Sequence, residues 1–270
     1  MSQGKYANMN GLALYYETYG VQGQPLILLH GGLGGIGMFA QLLPALAENR
    51  QVVAIELQGH GHTADINRPF SFELMADDVA ALVKHLGLAK PDLLGYSLGG
   101  GVALQTAIRH PEVVRKLALV SVPFSGDGWY PEVRAGMKSM NVDAAKAMVG
   151  SPMHQAYIKT APNPDDWQTL VVKTGELIRQ DYDWSERVAA LKMPTLIVVG
   201  DADAIRPAHV VEFFGLLGGG KRDAGWDSSG MSNARLAILP GTTHYNVIFS
   251  PMLASTVTAF LDAPMPSVEK

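Results

Sequence analysis

The chain has 270 residues, of which 47% are hydrophobic and 17% are charged, a composition that excludes a disordered polypeptide and supplies a well-filled core. Its net charge is −4 and it lacks a basic run, which argues against nucleic acid or an anionic membrane as a partner. It contains no cysteine, which excludes disulfides, thiolate nucleophiles and thiolate metal ligands.

Short runs rich in Val, Ile and Leu alternate with helical patterns, as is typical of parallel strands buried on both faces. The predicted strands are, in chain order, Leu12–Tyr19, Leu26–Leu29, Gln51–Glu56, Asp92–Leu94, Lys116–Val122, Thr195–Val199 and Arg235–Leu239. The predicted helices are Met38–Glu48, Ser71–Leu86, Leu98–Arg109, Pro207–Leu217 and Pro251–Leu261. This order predicts an α/β fold with a mostly parallel central sheet flanked by helices.

The alternation stops between Phe124 and Leu191, where helical patterns follow one another without a strand. We therefore expect a core domain formed by residues 1–123 and 192–270, and a helical cap formed by residues 124–191. The insertion holds three of the four tryptophans, together with several Met and Tyr residues. Two interpretations are open: these side chains form the insertion's own small core, or some of them line an apolar substrate pocket.

The segment Gly95-Tyr96-Ser97-Leu98-Gly99 follows a predicted strand and begins a predicted helix, so it matches G-x-S-x-G in the context that this motif requires. A sharp turn there would hold Ser97 in a strained backbone conformation with its Oγ exposed. The positive end of the helix dipole would favour a developing anion beside it. The motif predicts Ser97 as a nucleophile.

A glycine-rich loop, His30-Gly31-Gly32-Leu33-Gly34-Gly35, follows the strand Leu26–Leu29. Such a loop can present backbone N–H groups to an oxyanion. Phosphate binding is disfavoured, because neither nucleotide-binding glycine motif is present. We expect His30, at the end of the strand, to brace the loop rather than to act as the base of the nucleophile.

Two carboxylates and a histidine follow the last two predicted strands. Asp201 and Asp203 come after Thr195–Val199, and His244 comes after Arg235–Leu239. Because the carboxyl ends of parallel strands meet at one edge, these side chains are expected near Ser97. The chain order Ser, acid, His is that of a triad mounted on this kind of sheet. We expect structural or solvated roles, and no metal, at His60, His62, His85, His110, His154 and His209.

These motifs, with Gly59-His60-Gly61 and Gly200-Asp201-Ala202-Asp203, resemble those of the α/β-hydrolase superfamily, in the serine-nucleophile branch with a helical cap. The resemblance covers nearly the whole chain. It implies Ser97 as nucleophile, Asp203 as acid, His244 as base, and an oxyanion hole made by the N–H groups of Gly32 and Leu98. It implies no cofactor. The spacing from Gly200 to Pro207 favours Asp203 over Asp201, and Glu56 stands where the family usually has Asp.

The leading hypothesis is hydrolysis of a carboxylic ester or lactone through an acyl-enzyme intermediate. Carbon–carbon bond hydrolases and cofactor-free haloperoxidases or perhydrolases resemble the same layout, and a hydrolase-like small-molecule receptor is a further alternative. Haloalkane dehalogenases and epoxide hydrolases are disfavoured, because they carry Asp where this chain has Ser97. We expect the pocket to be lined by Leu33, Tyr96, Phe124, Trp129, Met148 and Tyr245.

The expected partner is a small apolar ester or lactone, and the pattern does not indicate an oligomeric state. The N-terminal segment lacks the basic start and apolar run of a signal peptide, and no stretch of 18 apolar residues occurs. We therefore expect a soluble, cytoplasmic protein.

Overall fold

The computed structural model describes residues 4–265, and an eight-stranded sheet runs through this part of the chain. The strands are β1 (Lys5–Met9), β2 (Leu12–Tyr19), β3 (Leu26–Leu29), β4 (Val52–Ile55), β5 (Asp92–Tyr96), β6 (Leu117–Val120), β7 (Thr195–Ala202) and β8 (Ala234–Thr243). Their order in the sheet is β1-β2-β4-β3-β5-β6-β7-β8. The pairs β1–β2 and β2–β4 are antiparallel, and every later pair is parallel. The predicted α/β fold class is confirmed.

The described helices are α1 (Leu43–Ala47), α2 (Phe72–His85), α3 (Leu98–Arg109), α4 (Pro131–Lys138), α5 (Val142–Ala147), α6 (Pro152–Thr160), α7 (Trp167–Ile178), α8 (Ser185–Ala189), α9 (Pro207–Leu216) and α10 (Pro251–Asp262). The predicted helix Met38–Glu48 is instead a 3₁₀ turn at Ile36–Phe39 followed by α1. Pro44 explains the break, because its ring would clash with the carbonyl of the residue four positions earlier in a continuous helix. Pro is tolerated where it stands, in the first turn of α1.

Strand β1 is absent from the sequence-based prediction. Only Ala7 and Met9 of its five residues are buried, because β1 is an edge strand that has only one neighbour, β2. An edge strand of this kind lacks the apolar run that reveals the central strands.

The sheet has apolar residues on both faces. In β3, Ile27 and Leu29 join one core cluster, whereas Leu26 and Leu28 join the other. This division follows from the two-residue period of a strand. Helices α2, α3 and α9 cover the first face, and α1 and α10 cover the second. No helix within residues 4–265 is long and apolar enough to cross a membrane.

Helices α4 to α8 form a continuous helical segment between β6 and β7. Its two ends are held together by the backbone: the N–H of Trp184 donates to the carbonyl of Phe124 at 3.0 Å, and Ser125 forms a bridge with Asp183. A second bridge joins Trp129 to Ile205, just beyond β7. The segment therefore leaves and re-enters the sheet region at one place, near the carboxyl ends of β6 and β7.

Besides His244, three histidines are buried within residues 4–265, and burial is the main cause that lowers the pKa of each to about 4. They are His30, His60 and His209. His209 lies on α9, where its Nε2 accepts the N–H of Phe124 at 3.2 Å and its ring stacks on the Phe124 ring at 4.0 Å. The folded protein needs the neutral ring here, because a protonated imidazole cannot accept a hydrogen bond.

We predict that the free energy of unfolding decreases as the pH falls from about 6.5, the ordinary pKa of histidine, toward about 4. In that range the unfolded chain binds protons that the folded protein excludes. His209→Gln keeps a neutral acceptor at every pH, so it should reduce this dependence by about 1 kcal/mol per pH unit. Urea unfolding over the same pH range measures the slope, and His85→Gln, at an exposed position, is the control. Identical slopes for His209→Gln and the unsubstituted protein would contradict the prediction.

Candidate active site

Ser97 lies on a sharp turn between β5 and α3. Its φ is +52° and its ψ is −118°, a conformation that a residue other than glycine rarely adopts. Glycines on either side allow the turn: a Cβ on Gly95 would lie 2.3 Å from the carbonyl oxygen of Gly99, and a Cβ on Gly99 would lie 2.3 Å from that of Leu29. The turn is therefore built by close backbone packing, which only glycine permits.

Three side chains from neighbouring strand ends form a chain of hydrogen bonds. Ser97 Oγ lies 3.0 Å from Nε2 of His244, and Nδ1 of His244 lies 3.1 Å from Oδ1 of Asp203. Ser97 follows β5, Asp203 follows β7 and His244 follows β8. These strands are parallel, so their carboxyl ends lie at one edge of the sheet. The geometry fits an imidazole that carries its proton on Nδ1 and accepts the Ser97 hydroxyl proton on Nε2.

The carboxylate of Asp203 is buried and receives three donors. Besides His244, the Oγ of Ser121 and the N–H of Gly200 donate to it, the latter at 3.1 Å. Burial alone would raise the pKa of Asp203, but the hydrogen bonds and the charge of His244, with the other two donors, hold that pKa below its ordinary value. Asp201 is exposed, and its Oδ1 accepts the N–H of Thr242 at 3.2 Å.

The predicted oxyanion loop passes directly beside the serine turn. A Cβ on Gly31 would lie 2.9 Å from the Tyr96 ring, and a Cβ on Gly32 would lie 3.3 Å from Cδ1 of Leu98. Within residues 4–265, neither the Gly32 N–H nor the Leu98 N–H donates to another group of the protein. Two unused amides therefore border Ser97. Leu33, next in the loop, has φ +57°, which is unusual for a branched side chain.

Two buried groups brace this loop from below. The Glu56 carboxylate accepts the N–H of Ile36 at 3.2 Å and both the N–H and Nδ1 of His62, at 2.6 and 2.8 Å. Gly61 makes room for the longer Glu side chain, because a Cβ there would lie 2.2 Å from its carboxyl carbon. His30 is fully buried, and its Nε2 accepts the N–H of Leu57 at 3.1 Å. His30 thus contacts the loop and the neighbouring strand end, while His244 contacts Ser97.

Four of the six predicted pocket residues lie around the hydrogen-bonded chain. The rings of Trp129 and Tyr245 lie 5.3 and 5.4 Å from the His244 ring. Tyr96 is buried, and its hydroxyl donates to the His244 carbonyl at 2.6 Å, so it supports the histidine loop from beneath. Leu33 is buried and directly follows Gly32 in the oxyanion loop.

The other two predicted pocket residues are placed differently. Phe124 is buried, and its ring packs against His209 and Phe213 at 4.0 and 5.3 Å between ring centroids. It lies four residues after the end of β6 and packs against α9. Met148 caps α5 and packs against the apolar core as a partly buried side chain.

Among residues 4–265, no three His, Asp or Glu side chains are grouped closely enough to hold a metal ion. The buried carboxylates at the site are occupied by protein donors instead, as the contacts of Asp203 and Glu56 illustrate.

Comparison with known proteins agrees with this arrangement: a family model for the alpha/beta hydrolase fold matches residues 24–218. The chain belongs to the α/β-hydrolase family. A pimeloyl-[acyl-carrier protein] methyl ester esterase of Neisseria meningitidis serogroup B is 32% identical over 206 residues, covering 69% of this chain and 77% of that protein. The dihydrolipoyllysine-residue acetyltransferase component of the acetoin cleaving system of Pseudomonas putida is 29% identical over 211 residues, which are 73% of this chain and 56% of that protein.

A solved structure shares the fold at lower sequence identity. The crystal structure of the enol-lactonase from Burkholderia xenovorans LB400 superposes with a TM-score of 0.70 at 22% identity, covering 96% of this chain and 100% of that one. The likeness extends across the helical segment between β6 and β7 as well as across the sheet.

Ser121 is the residue at this α/β-hydrolase site that sequence reasoning missed. It follows β6 directly, and its backbone, like that of Ser97, has φ +52°. The signal was present in the sequence: a polar residue at the end of a strand next to β7 is expected at the same edge as Asp203. Ser121 donates one hydrogen bond to a charged acceptor, and such bonds are stronger than those between neutral groups.

We predict that Ser121→Ala lowers kcat for ester hydrolysis about tenfold while KM changes little, because a hydrogen bond to a buried charged group is lost. The substitution removes a donor to Asp203, so this carboxylate is held less firmly against His244. The altered side chain itself touches no substrate. Steady-state kinetics with p-nitrophenyl butanoate and a thermal unfolding curve separate the effect on kcat from a loss of folding. Ser125→Ala, at another buried serine, is the control. Unchanged kcat in Ser121→Ala would show that the serine does not position the acid.

Proposed function

We propose that this protein is a serine hydrolase that cleaves a carboxylic ester or lactone through an acyl-enzyme intermediate. The observation that supports it most is the contact of Ser97 Oγ with His244 Nε2 at 3.0 Å, in a histidine whose other nitrogen lies 3.1 Å from the buried Asp203. A serine hydroxyl is a weak nucleophile by itself and needs an adjacent base of this kind.

In the first step, His244 Nε2 takes the hydroxyl proton as Ser97 Oγ attacks the carbonyl carbon of the substrate. The negative charge that develops on the carbonyl oxygen is stabilised by the N–H groups of Gly32 and Leu98. These donors stand fixed beside Ser97, so they need no reorganisation as the charge forms. The first turn of α3 adds the positive end of its dipole at the same place.

In the second step, the His244 imidazolium returns its proton to the leaving oxygen, the carbon–oxygen bond breaks and an acyl group remains on Ser97. Water then attacks the acyl carbonyl with His244 again as the base, and the acid product leaves. For a lactone the leaving oxygen stays tethered to the acyl group, so a hydroxy acid is released.

Asp203 has an electrostatic role in both steps. Its pKa is held below the ordinary value, so the carboxylate is charged at neutral pH and stabilises the imidazolium that forms beside it. It also fixes the proton on Nδ1, which leaves Nε2 free to accept. Asp201, which is exposed and bonded to a backbone N–H, fits the role of a loop brace.

The relatives support an ester as the substrate class, because the Neisseria protein at 32% identity is named a methyl ester esterase. We further propose that residues 124–191 act as a cap on a core domain of residues 1–123 and 192–270. Supporting contacts run between the two parts: Lys173 Nζ, on α7, donates to the Asp65 carboxylate and to the carbonyl of Arg68, the latter at 2.9 Å.

We predict that Ser97→Ala lowers kcat for p-nitrophenyl butanoate about a million-fold, and that Asp203→Asn lowers it about ten-thousand-fold by leaving the histidine in the wrong tautomer. Asp201→Asn is the matched control two residues away, and it should stay within about tenfold of the unsubstituted enzyme, because its amide oxygen can still accept the Thr242 N–H and only the charge of an exposed side chain is lost. Steady-state assays and assays stopped at fixed times, both with purified variants, measure these rates. Substantial hydrolysis by Ser97→Ala, or greater damage from Asp201→Asn than from Asp203→Asn, would overturn the assignment.

A further inference from the structure

Thr174, on α7, has a buried hydroxyl without a hydrogen-bond partner among the described residues. The side chain is 3% exposed, and its Oγ1 neither donates nor accepts within residues 4–265. Threonines inside helices ordinarily satisfy the hydroxyl on the carbonyl four residues earlier, as Thr106 does on Val102 at 2.8 Å in α3. Thr174 does not make this bond, so its hydroxyl is unused by the fold.

Thr174 lies against the oxyanion loop. Its methyl carbon, Cγ2, is 3.5 Å from the position that a Cβ would take on Gly32, and Cδ1 of Leu98 is 3.3 Å from the same position. The Thr174 methyl group and the Leu98 side chain therefore both lie beside Gly32, in the loop that is proposed to supply an oxyanion donor. The methyl group is the part of Thr174 nearest to Gly32, and the hydroxyl bonds neither to the loop nor to any other group within residues 4–265.

The position of Thr174 is fixed by its two neighbours in α7. Lys173 Nζ donates to Asp65 and to the carbonyl of Arg68 in the core. Gly175 packs so closely that a Cβ there would lie 2.1 Å from the carbonyl oxygen of Met140. The helix is thus held on both sides of Thr174, which fixes the position of this residue beside Gly32.

An unpaired buried hydroxyl is unfavourable, because it has lost hydrogen bonds to water without gaining others. Valine has the same shape and would fill the same space without that loss. The polar choice at position 174 is therefore explained if a bound molecule supplies the missing partner. Thr174 packs against Gly32, in the loop beside Ser97, so an acyl group attached to Ser97 is the candidate for that partner.

The side of the substrate that meets Thr174 follows from the position of the base. His244 must deliver a proton to the leaving oxygen, so the leaving group lies on the side of Ser97 that His244 occupies, with Trp129 and Tyr245 around it. Thr174 stands instead beside Gly32 and Leu98. We propose that Thr174 is a specificity-determining residue that hydrogen bonds to an oxygen substituent on the acyl chain, so that the preferred substrates are hydroxyacyl esters with the hydroxyl near the scissile carbonyl.

This inference rests on the proposed ester hydrolysis at Ser97, and the experiment distinguishes a failure of the inference from a failure of the proposed function. The p-nitrophenyl esters of butanoate, 2-hydroxybutanoate and 3-hydroxybutanoate share a leaving group and a chain length. The value of kcat/KM for each is compared among the unsubstituted enzyme, Thr174→Val, Thr174→Ser and Thr169→Val. Thr169 is an exposed threonine of the same helix, so it controls for the substitution itself.

Thr174→Val should lower kcat/KM for at least one hydroxy ester about tenfold relative to the plain butanoate, since one hydrogen bond is lost from that substrate alone. Thr174→Ser keeps the hydroxyl and should keep the preference, and Thr169→Val should change nothing. If Thr174→Val alters all three esters by the same factor, or none of them, Thr174 does not read the acyl chain. If Ser97→Ala hydrolysed all three esters as fast as the unsubstituted enzyme, the proposed function would be refuted. The Thr174 hydroxyl would then need a ligand other than an acyl group on Ser97 as its partner.

Discussion

The burial of one carboxylate, Asp203, is the constraint on which the rest of the site depends. A buried carboxylate is unfavourable unless donors surround it, and here Ser121, Gly200 and His244 supply them. These donors come from the ends of β6, β7 and β8, so the site requires those strands to be parallel and in register. The same donors hold the pKa of the carboxylate below its ordinary value and keep His244 in place beside Ser97, as the proposed mechanism requires.

Several residues with strained backbone conformations lie at the same edge of the sheet. Three of the six non-glycine residues with positive φ in the described chain are Leu33, Ser97 and Ser121, each directly after or near the carboxyl end of a parallel strand. Such conformations each cost on the order of 1 to 3 kcal/mol and persist only where the surroundings impose them. The sheet, apolar on both faces, supplies that rigidity, and the glycines beside Ser97 remove the clashes that a side chain would add.

Much of this arrangement could be predicted from the sequence, because central strands and glycine turns leave local signals. The strand Leu26–Leu29 is indicated by its unbroken apolar run, and the turn around Ser97 is indicated by its spaced glycines. The edge strand β1 left no such signal. An aromatic residue such as Phe124 suits a pocket wall and a core equally well by sequence, and its packing against α9 depends on tertiary contacts that leave no local signal.

The contacts of the helical segment could not be predicted at all, for a physical reason. Five short helices can pack on a sheet in many orientations, and which face of each looks inward depends on tertiary contacts such as those of Lys173 and Gly175. A threonine in the middle of α7 carries no sequence signal of its own. The hydroxyl of Thr174 becomes meaningful only when its burial and its missing partner are seen together.

The most direct test of the central claim is to trap the acyl group. The enzyme is mixed with excess p-nitrophenyl butanoate, quenched in acid during the first turnovers, and examined by intact-protein and peptide mass spectrometry. We expect one butanoyl group per chain, located on the peptide that contains Ser97 and absent in Ser97→Ala. A butanoyl group on another residue that forms as fast as p-nitrophenol is released, with Ser97 unmodified, would contradict it.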